Sequence, residues 1–488
     1  MNARSIILTV ALTMFGCYTA NAQLGKFLNK AKKAISETEQ KADNTSKQAG
    51  NTSAKMNAGS GNSSSAPISL EKASSLYVSL EKGSARADGS KNTPLKDVQK
   101  AIDMAKDGDV IRIAQGNYLG TMDKGSLSIK GKYVSLEGGW NDDFTERDPL
   151  KYVTKIQPSA EQQGTIGMGL LMIESTANKN ASIVIDGICF DLGLAMSYCK
   201  ADPTDPRFGC PEGCETGRIM PVGMPPNKTI RLIGGKVAGN LTIRNCMFMN
   251  ASFNGIIMSN MGGNWNIYNN VFVSNLYAAC EITGGLNQNT NAHQSKVEFH
   301  HNTVLFSWPT TKEMESMGYG YRFRNGADHD VHHNIFGCNN YGALDGGWDD
   351  STLPAEKRKI CSAHDNYFFM NRGDLVLAGG GKWLYVPAKR FDEAEMLTKY
   401  ENNKELPATS NFKDFIDAAY LKGYASLKVI TTESYDANSA ANLYREAHGL
   451  NKMGTSTTRV TMFGNRYNFE KALKLFGAES GYGAQIPQ

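Results

Sequence analysis

Six segments of the chain share one pattern: apolar, any, small or polar, any, any, apolar. They begin at Ile185, Ile243, Ile267, Phe299, Val331 and Ala363, and end at Phe190, Phe248, Phe272, Val304, Phe336 and Phe368. Their first residues are 58, 24, 32, 32 and 32 residues apart. Self-similarity at a nearly fixed period is the mark of a solenoid, in which each unit buries its apolar face only against its neighbours. Short strands joined by turns make such a coil, and the 58-residue gap implies one large insertion holding Cys199, Cys210 and Cys214.

Upstream, Thr93 to Ala105 has the spacing of a short amphipathic helix. Val110-Ile111-Arg112-Ile113-Ala114 alternates as a strand, and Val134 to Trp140 follows. Downstream, Arg390 to Tyr400, Asn411 to Tyr420 and Phe469 to Phe476 carry helical spacing, with Gly477 as a stop signal. Four regions are expected: a signal peptide (1–22), a helix and flexible linker (23–72), a parallel β-helix (73–386) and a mostly helical carboxyl-terminal cap (387–488). A cap has a physical purpose, since an open coil end presents unpaired strand edges.

The amino terminus points to export. Arg4 precedes the apolar stretch Ser5–Phe15, and Ala20-Asn21-Ala22 is a small-x-small cleavage pattern. Gly16-Cys17 resembles the end of a lipobox, so lipidation is the competing reading. Ser36 to Ala66 is rich in Ser, Asn, Gly and Lys and cannot bury enough apolar surface to fold. No later run approaches ~20 apolar residues, so no transmembrane segment is expected. With 52 basic and 48 acidic residues, the charge balance argues against nucleic acid as a partner. The chain is expected to be a monomer in the periplasm, at the cell surface or secreted. Removal of Cys17 leaves eight cysteines, and a disulfide among Cys199, Cys210 and Cys214 is expected. Cys246, Cys280 and Cys338 sit in apolar strand patterns and read as buried thiols.

The succession from Leu76 to Gly380, with its turn at Asp88-Gly89-Ser90, its alternating first strand and Glu137-Gly138-Gly139-Trp140, resembles bacterial right-handed β-helix surface proteins. That broad group includes the pectate-lyase-like enzymes. The resemblance implies an all-β fold, a right-handed parallel β-helix solenoid, and an acidic polysaccharide as partner.

Stacking at ~4.8 Å per coil places equivalent residues in columns. Asn270, Asn302, Asn334 and Asn366 form one, read as a structural ladder at a turn where Asn adopts a left-handed conformation. His300, His332 and His364 form the next, and seven of the eight histidines lie between His293 and His364. That column reads either as a stacked ladder or as metal-binding or catalytic groups.

A third column pairs Glu281 with Arg322 and Asp345, with Arg324 beside them. On the expected exposed strand face they would line a groove for an extended polysaccharide, or form a solvated charge ladder. Elimination at a uronic acid needs a neutralised carboxylate and a base. In β-helix lyases like those resembled here, calcium held by carboxylates commonly neutralises the substrate, and Lys or Arg takes the proton. Glu281, Asp345 and Asp349 are the candidate calcium ligands. Arg322 or Arg324 would be base or carboxylate clamp, with Glu281 as the third catalytic candidate. Asp345, His300 and His332 are candidate substrate-binding residues.

Two functions follow: a polysaccharide lyase cleaving uronic-acid glycan by β-elimination, or a non-catalytic glycan-binding or surface adhesion protein. A hydrolase is less favoured, because paired carboxylates at suitable separation are not visible. A tight Glu281–Arg322–Asp345 cluster under cover would favour chemistry, and exposed aromatics with scattered charges would favour binding. On the exposed reading, loss of Arg322 should shift stability by no more than ~0.5 kcal/mol.

Overall fold

The computed structural model describes residues 74–118, 126–158, 168–193, 230–284, 292–307, 318–339, 342–347, 354, 358–379, 382–407, 437–438, 440–452, 467, 469–477 and 481–487. The expected signal peptide, linker, cysteine insertion and Asn411–Tyr420 helix lie outside these residues, as does Asp349. No described helix is long and apolar enough to cross a membrane.

The strands form three parallel sheets of ten, nine and nine strands, and successive coils place one strand in each. This is the right-handed parallel β-helix, the hand that parallel crossovers take. The first sheet runs from Ser75–Val78 to Leu397–Lys399 and the third from Gly116–Asn117 to Lys404–Glu405. The solenoid therefore continues past residue 386, its expected limit. Arg390–Tyr400, expected to be helical, is instead the 3-10 turn Ala388–Glu393 followed by strand Leu397–Lys399. Its apolar Phe391 and Leu397 are buried, so the spacing reports core contact and not helix. Helices α1 (Val98–Met104), α2 (Ala440–Ala447) and α3 (Phe469–Leu473) are the α-helices of the described residues. Asp97 caps α1 by accepting from the Lys100 amide at 2.7 Å, while Val98, Ala101 and Ile102 face the core.

All six repeats stand in register. Ile185, Ile243, Ile267, Phe299, Val331 and Ala363 are direct partners on adjacent first-sheet strands. The last residue of each repeat does the same in the third sheet, where Phe190, Phe248 and Phe272 stack at 5.6 and 4.7 Å. Period-2 alternation sends these side chains inward, and stacking identical chemistry coil on coil fills the core.

Between first and third sheets the asparagine ladder is present and fully buried. Each Nδ2 donates to the next Oδ1: Asn270 to Asn302 at 3.0 Å, Asn302 to Asn334 at 3.1 Å, Asn334 to Asn366 at 3.0 Å. A fifth member, Asn403, accepts from Asn366 at 3.2 Å. The left-handed residue of the turn is not this asparagine but the one before it: Asn245, Asn269, His301, His333 and Asp365, all with φ between 51° and 55°. The correction has a simple cause. The inward amide must satisfy buried backbone groups, so the outward neighbour carries the reversal. A second ladder, Asn339 to Asn371 at 3.0 Å, stands at the end of the third-sheet strands.

The five described cysteines, Cys189, Cys246, Cys280, Cys338 and Cys361, are free and buried. Burial raises the thiol proton affinity of Cys189, Cys246, Cys280 and Cys338, which makes them packing residues.

Candidate functional site

On the second sheet the strands Asn254–Asn260, Ala278–Gly284, Tyr319–Phe323 and Gly342–Asp345 lie side by side. Their inward column is Ile256, Cys280, Tyr321 and Leu344. One residue on, the outward column is Ile257, Glu281, Arg322 and Asp345, so the expected alignment of the three charges holds.

These side chains bind one another tightly. Arg322 Nε donates to Asp345 Oδ2 at 2.6 Å and its Nη1 to Glu281 Oε2 at 3.2 Å. Arg324 Nε donates to Glu281 Oε1 at 2.8 Å. The Gly347 amide donates to Asp345 Oδ1 at 3.0 Å, and Asn254 Nδ2 to Glu281 Oε2 at 3.3 Å. The cluster differs from the expected exposed strip in its burial. Glu281, Arg322 and Asp345 are 5, 7 and 4 % exposed. Burial works against the Arg322 charge, but Asp345 and Glu281 outweigh it and hold the guanidinium protonated more firmly than in a free arginine.

Aromatic rings enclose the arginine. The Arg322 guanidinium carbon stands 4.8 Å from the Tyr277 ring centroid and 4.9 Å from that of Tyr319. Tyr277 stacks on Phe253 at 4.7 Å, and Arg231 stands 6.0 Å over Phe253. The order Arg231, Phe253, Tyr277, Arg322, Tyr319 is a ladder of cations and rings. Tyr277 has φ of 68°, a conformation an aromatic residue rarely adopts.

Arg231, Asn254, Phe253, Tyr277 and Tyr319 were not singled out from the sequence. One signal was present for Arg231: it is a lone charge between apolar Ile230 and Leu232, just ahead of Gly234-Gly235. Tyr277 and Phe253 lie outside the strands, where no period announces them.

The histidines lie elsewhere. His300, His332 and His364 end first-sheet strands, so His300 and His332 are not on the second-sheet face of the cluster. Their rings stack at 5.0 and 5.1 Å, and Tyr268 extends the stack at 4.9 Å. His300 Nε2 meets Asn266 Oδ1 at 2.8 Å, His332 Nε2 meets Glu298 at 3.0 Å, and His364 Nε2 meets Asp330 at 2.9 Å. His301 and His333 form a parallel stack at 5.0 Å. The two stacks meet pairwise through their other nitrogens, His300 Nδ1 lying 2.7 Å from His301 Nδ1 and His332 Nδ1 2.9 Å from His333 Nδ1. Among the described residues no group of three His, Cys, Asp or Glu could hold a metal. Of the three calcium candidates, Glu281 and Asp345 share the Arg322 guanidinium as their counter-ion, and Asp349 lies outside the described residues.

A family described as a protein of unknown function (DUF1565) matches residues 81–129. No curated protein matches the chain. Among solved structures, a pectin methylesterase variant in complex with a hexasaccharide gives a TM-score of 0.34 at 9% identity, covering 70% of this chain and 95% of its own. The polygalacturonase of Erwinia carotovora ssp. carotovora gives 0.29 at 13% identity, covering 64% and 74%. A pectate lyase gives 0.28 at 11% identity, covering 79% and 89%.

Proposed function

We propose that the chain is an exported β-helix protein that holds an acidic polysaccharide on the outward face of its second sheet. The observation that carries this reading is the Arg322 cluster. Two arginines (Arg322, Arg324) pair with two carboxylates (Glu281, Asp345) and a third, Arg231, stands over Phe253, on a face where coils extend the surface strand by strand. A net positive, ring-lined strip suits a sugar acid, whose carboxylate seeks a guanidinium and whose ring faces seek aromatic carbon. Export rests on the leader pattern before Gln23.

The tightness of the cluster favours a second reading, β-elimination at a uronic acid. Arg322, fixed between two carboxylates, is then the clamp on the substrate carboxylate. Arg324, which donates through Nε alone, is the base at C5, and Glu281 positions both arginines. Asp345 fixes the Arg322 fork and so shapes the binding subsite. The test is a panel of polygalacturonate, alginate, hyaluronan and a neutral glucan, followed by calorimetry and by ultraviolet absorbance of the unsaturated product. Binding of at least one uronate polymer and not the neutral glucan is expected, with a tenfold or greater loss in Arg324→Gln. Equal binding of charged and neutral polymers would overturn the proposal. Binding without absorbance change would leave adhesion and remove elimination.

A further inference from the structure

The five charged groups of the cluster leave one positive charge over, and Arg231 carries it. Its Nε is buried and has no hydrogen-bond partner, and among the described residues its side chain makes no ion pair. Burial draws the Arg231 proton affinity below the ordinary arginine range, and the field of Glu281 only partly offsets this. A half-buried cation without a counter-ion is costly, so its retention calls for a partner.

The chain is built to put it there. The Arg231 side chain lies flat over two glycines. A Cβ on Gly234 would stand 2.3 Å from Arg231 Cδ, and one on Gly169 2.8 Å from Cγ. Any larger residue at either position would lift the guanidinium off the sheet.

Beside it is an unused acceptor. Arg231 stands two residues before Ile233 and Asn254 two before Ile256, and Ile233 pairs with Ile256, so the two share a register position on adjacent strands. Asn254 is fully buried, with Nδ2 given to Glu281 and Oδ1 left without a partner. Buried polar atoms of this kind are rare in folded proteins. An orphaned donor and an orphaned acceptor on neighbouring strands, bordered by the Phe253 ring, call for a ligand that accepts at one point and donates at the next.

We propose that Arg231, Asn254 and Phe253 form the receiving subsite for one uronate unit, with its carboxylate on Arg231, a ring hydroxyl donating to Asn254 Oδ1, and its apolar face on Phe253. The assignment rests on the reading that this sheet face holds an acidic glycan, and it names the group that recognises the acid. Arg322 gives Nε to Asp345 and Nη1 to Glu281, and Arg324 gives Nε to Glu281, whereas the buried Nε of Arg231 is given to no acceptor.

The experiment uses the exported chain and short oligosaccharides cut from polygalacturonate, alginate and hyaluronan, with their methyl esters and a sulfated, uronate-free galactan as probes. Affinity is read by calorimetry and folding by thermal unfolding. Arg231→Gln should unfold as the wild type does and lose at least tenfold in affinity for the bound uronate. The methyl ester should bind the wild type as weakly as the acid binds that variant. Gly234→Ala, which displaces Arg231 without altering charge, should show the same loss. If Arg324→Gln weakens uronate binding but Arg231→Gln and Gly234→Ala do not, this subsite is wrong and the glycan reading stands. If no uronate binds the wild type, both fall. Arg231-dependent binding of the sulfated galactan alone would also overturn the uronate assignment.

Discussion

Arg322 reaches one coil forward to Asp345, with Nε 2.6 Å from Oδ2, and one coil back to Glu281, with Nη1 3.2 Å from Oε2. A single guanidinium thus ties three successive strands of the second sheet on their outward side. Its burial changes what substitution there would do.

Loss of the Arg322 charge leaves the buried Asp345 without its cation and Glu281 with Arg324 alone. Arg322→Met should therefore cost about 3–5 kcal/mol, far above the ~0.5 kcal/mol expected of an exposed residue. Adding Asp345→Asn to it should restore much of the loss, because the stranded charge is then gone while Glu281 keeps Arg324. Urea denaturation of the single and double variants measures this, and a neutral Arg322→Met would contradict the buried network.

The asparagine ladder gives a second prediction. Asn302 Oδ1 accepts from the Asn270 amide at 3.0 Å and from Asn270 Nδ2 at 3.0 Å, while its own Nδ2 donates to the Ile267 carbonyl at 2.9 Å. Asn302→Ala orphans at least two buried backbone groups, each worth about 1–3 kcal/mol. A loss of about 3 kcal/mol or more is expected in equilibrium denaturation. Asn403→Ala, at the end of the same ladder and less buried, should cost less.

How much of this was legible in the sequence follows from what periodicity can carry. Residues Ile267, Phe299, Val331 and Ala363 recur every 32 residues, so their register and the adjoining asparagine and histidine columns could be read directly. The register of Glu281, Arg322 and Asp345 followed from the same alternation. Burial did not, because alternation says which way a side chain points and is silent about what covers it. Arg231 and Asn254 escaped because their roles depend on an absence: the missing Cβ of Gly234 and the missing partner of Asn254 Oδ1. Phe391, Ala394 and Leu397 misled because buried apolar residues three apart fit a helix as well as a 3-10 turn and a strand.

The histidine columns predict an acid limb in the stability profile. Burial pulls His300 down to about 3 and His301 to about 4, and lowers His333, with neighbouring histidines adding to the effect. The unfolded chain takes up protons near pH ~6.5 that the folded chain refuses, so stability present above that pH is lost as pH falls toward about 4. His364 acts oppositely. Burial opposes its charge, but hydrogen bonds to Asp330 and Asp365 prevail and raise it, so its contribution is full below ~6.5 and lost as pH rises through its folded value. The double variant His301→Asn, His333→Asn should flatten the acid limb, since Asn245 and Asn269 already hold this column at φ of 54° and 55°. Thermal unfolding at a series of pH values decides it, and superimposable curves would count against the assignment.

Tyr277 sets fold and site against each other. Its φ of 68° places an aromatic residue in the left-handed region, at about 1–2 kcal/mol. In return its ring lies 4.7 Å from Phe253 and 4.8 Å from the Arg322 guanidinium, contacts worth about 0.5–2 kcal/mol each. Tyr277→Asn removes the strain and the contacts together, because Asn adopts this conformation readily. Stability should then change by no more than about 1 kcal/mol in either direction. Uronate binding should behave differently, falling at least tenfold, because the ladder from Arg231 to Tyr319 loses its middle ring and Arg322 loses one face of its enclosure. Calorimetry on the variant, beside its urea denaturation curve, separates the two effects. Unchanged affinity with improved stability would make Tyr277 a strained packing residue and take the aromatic ladder out of the site.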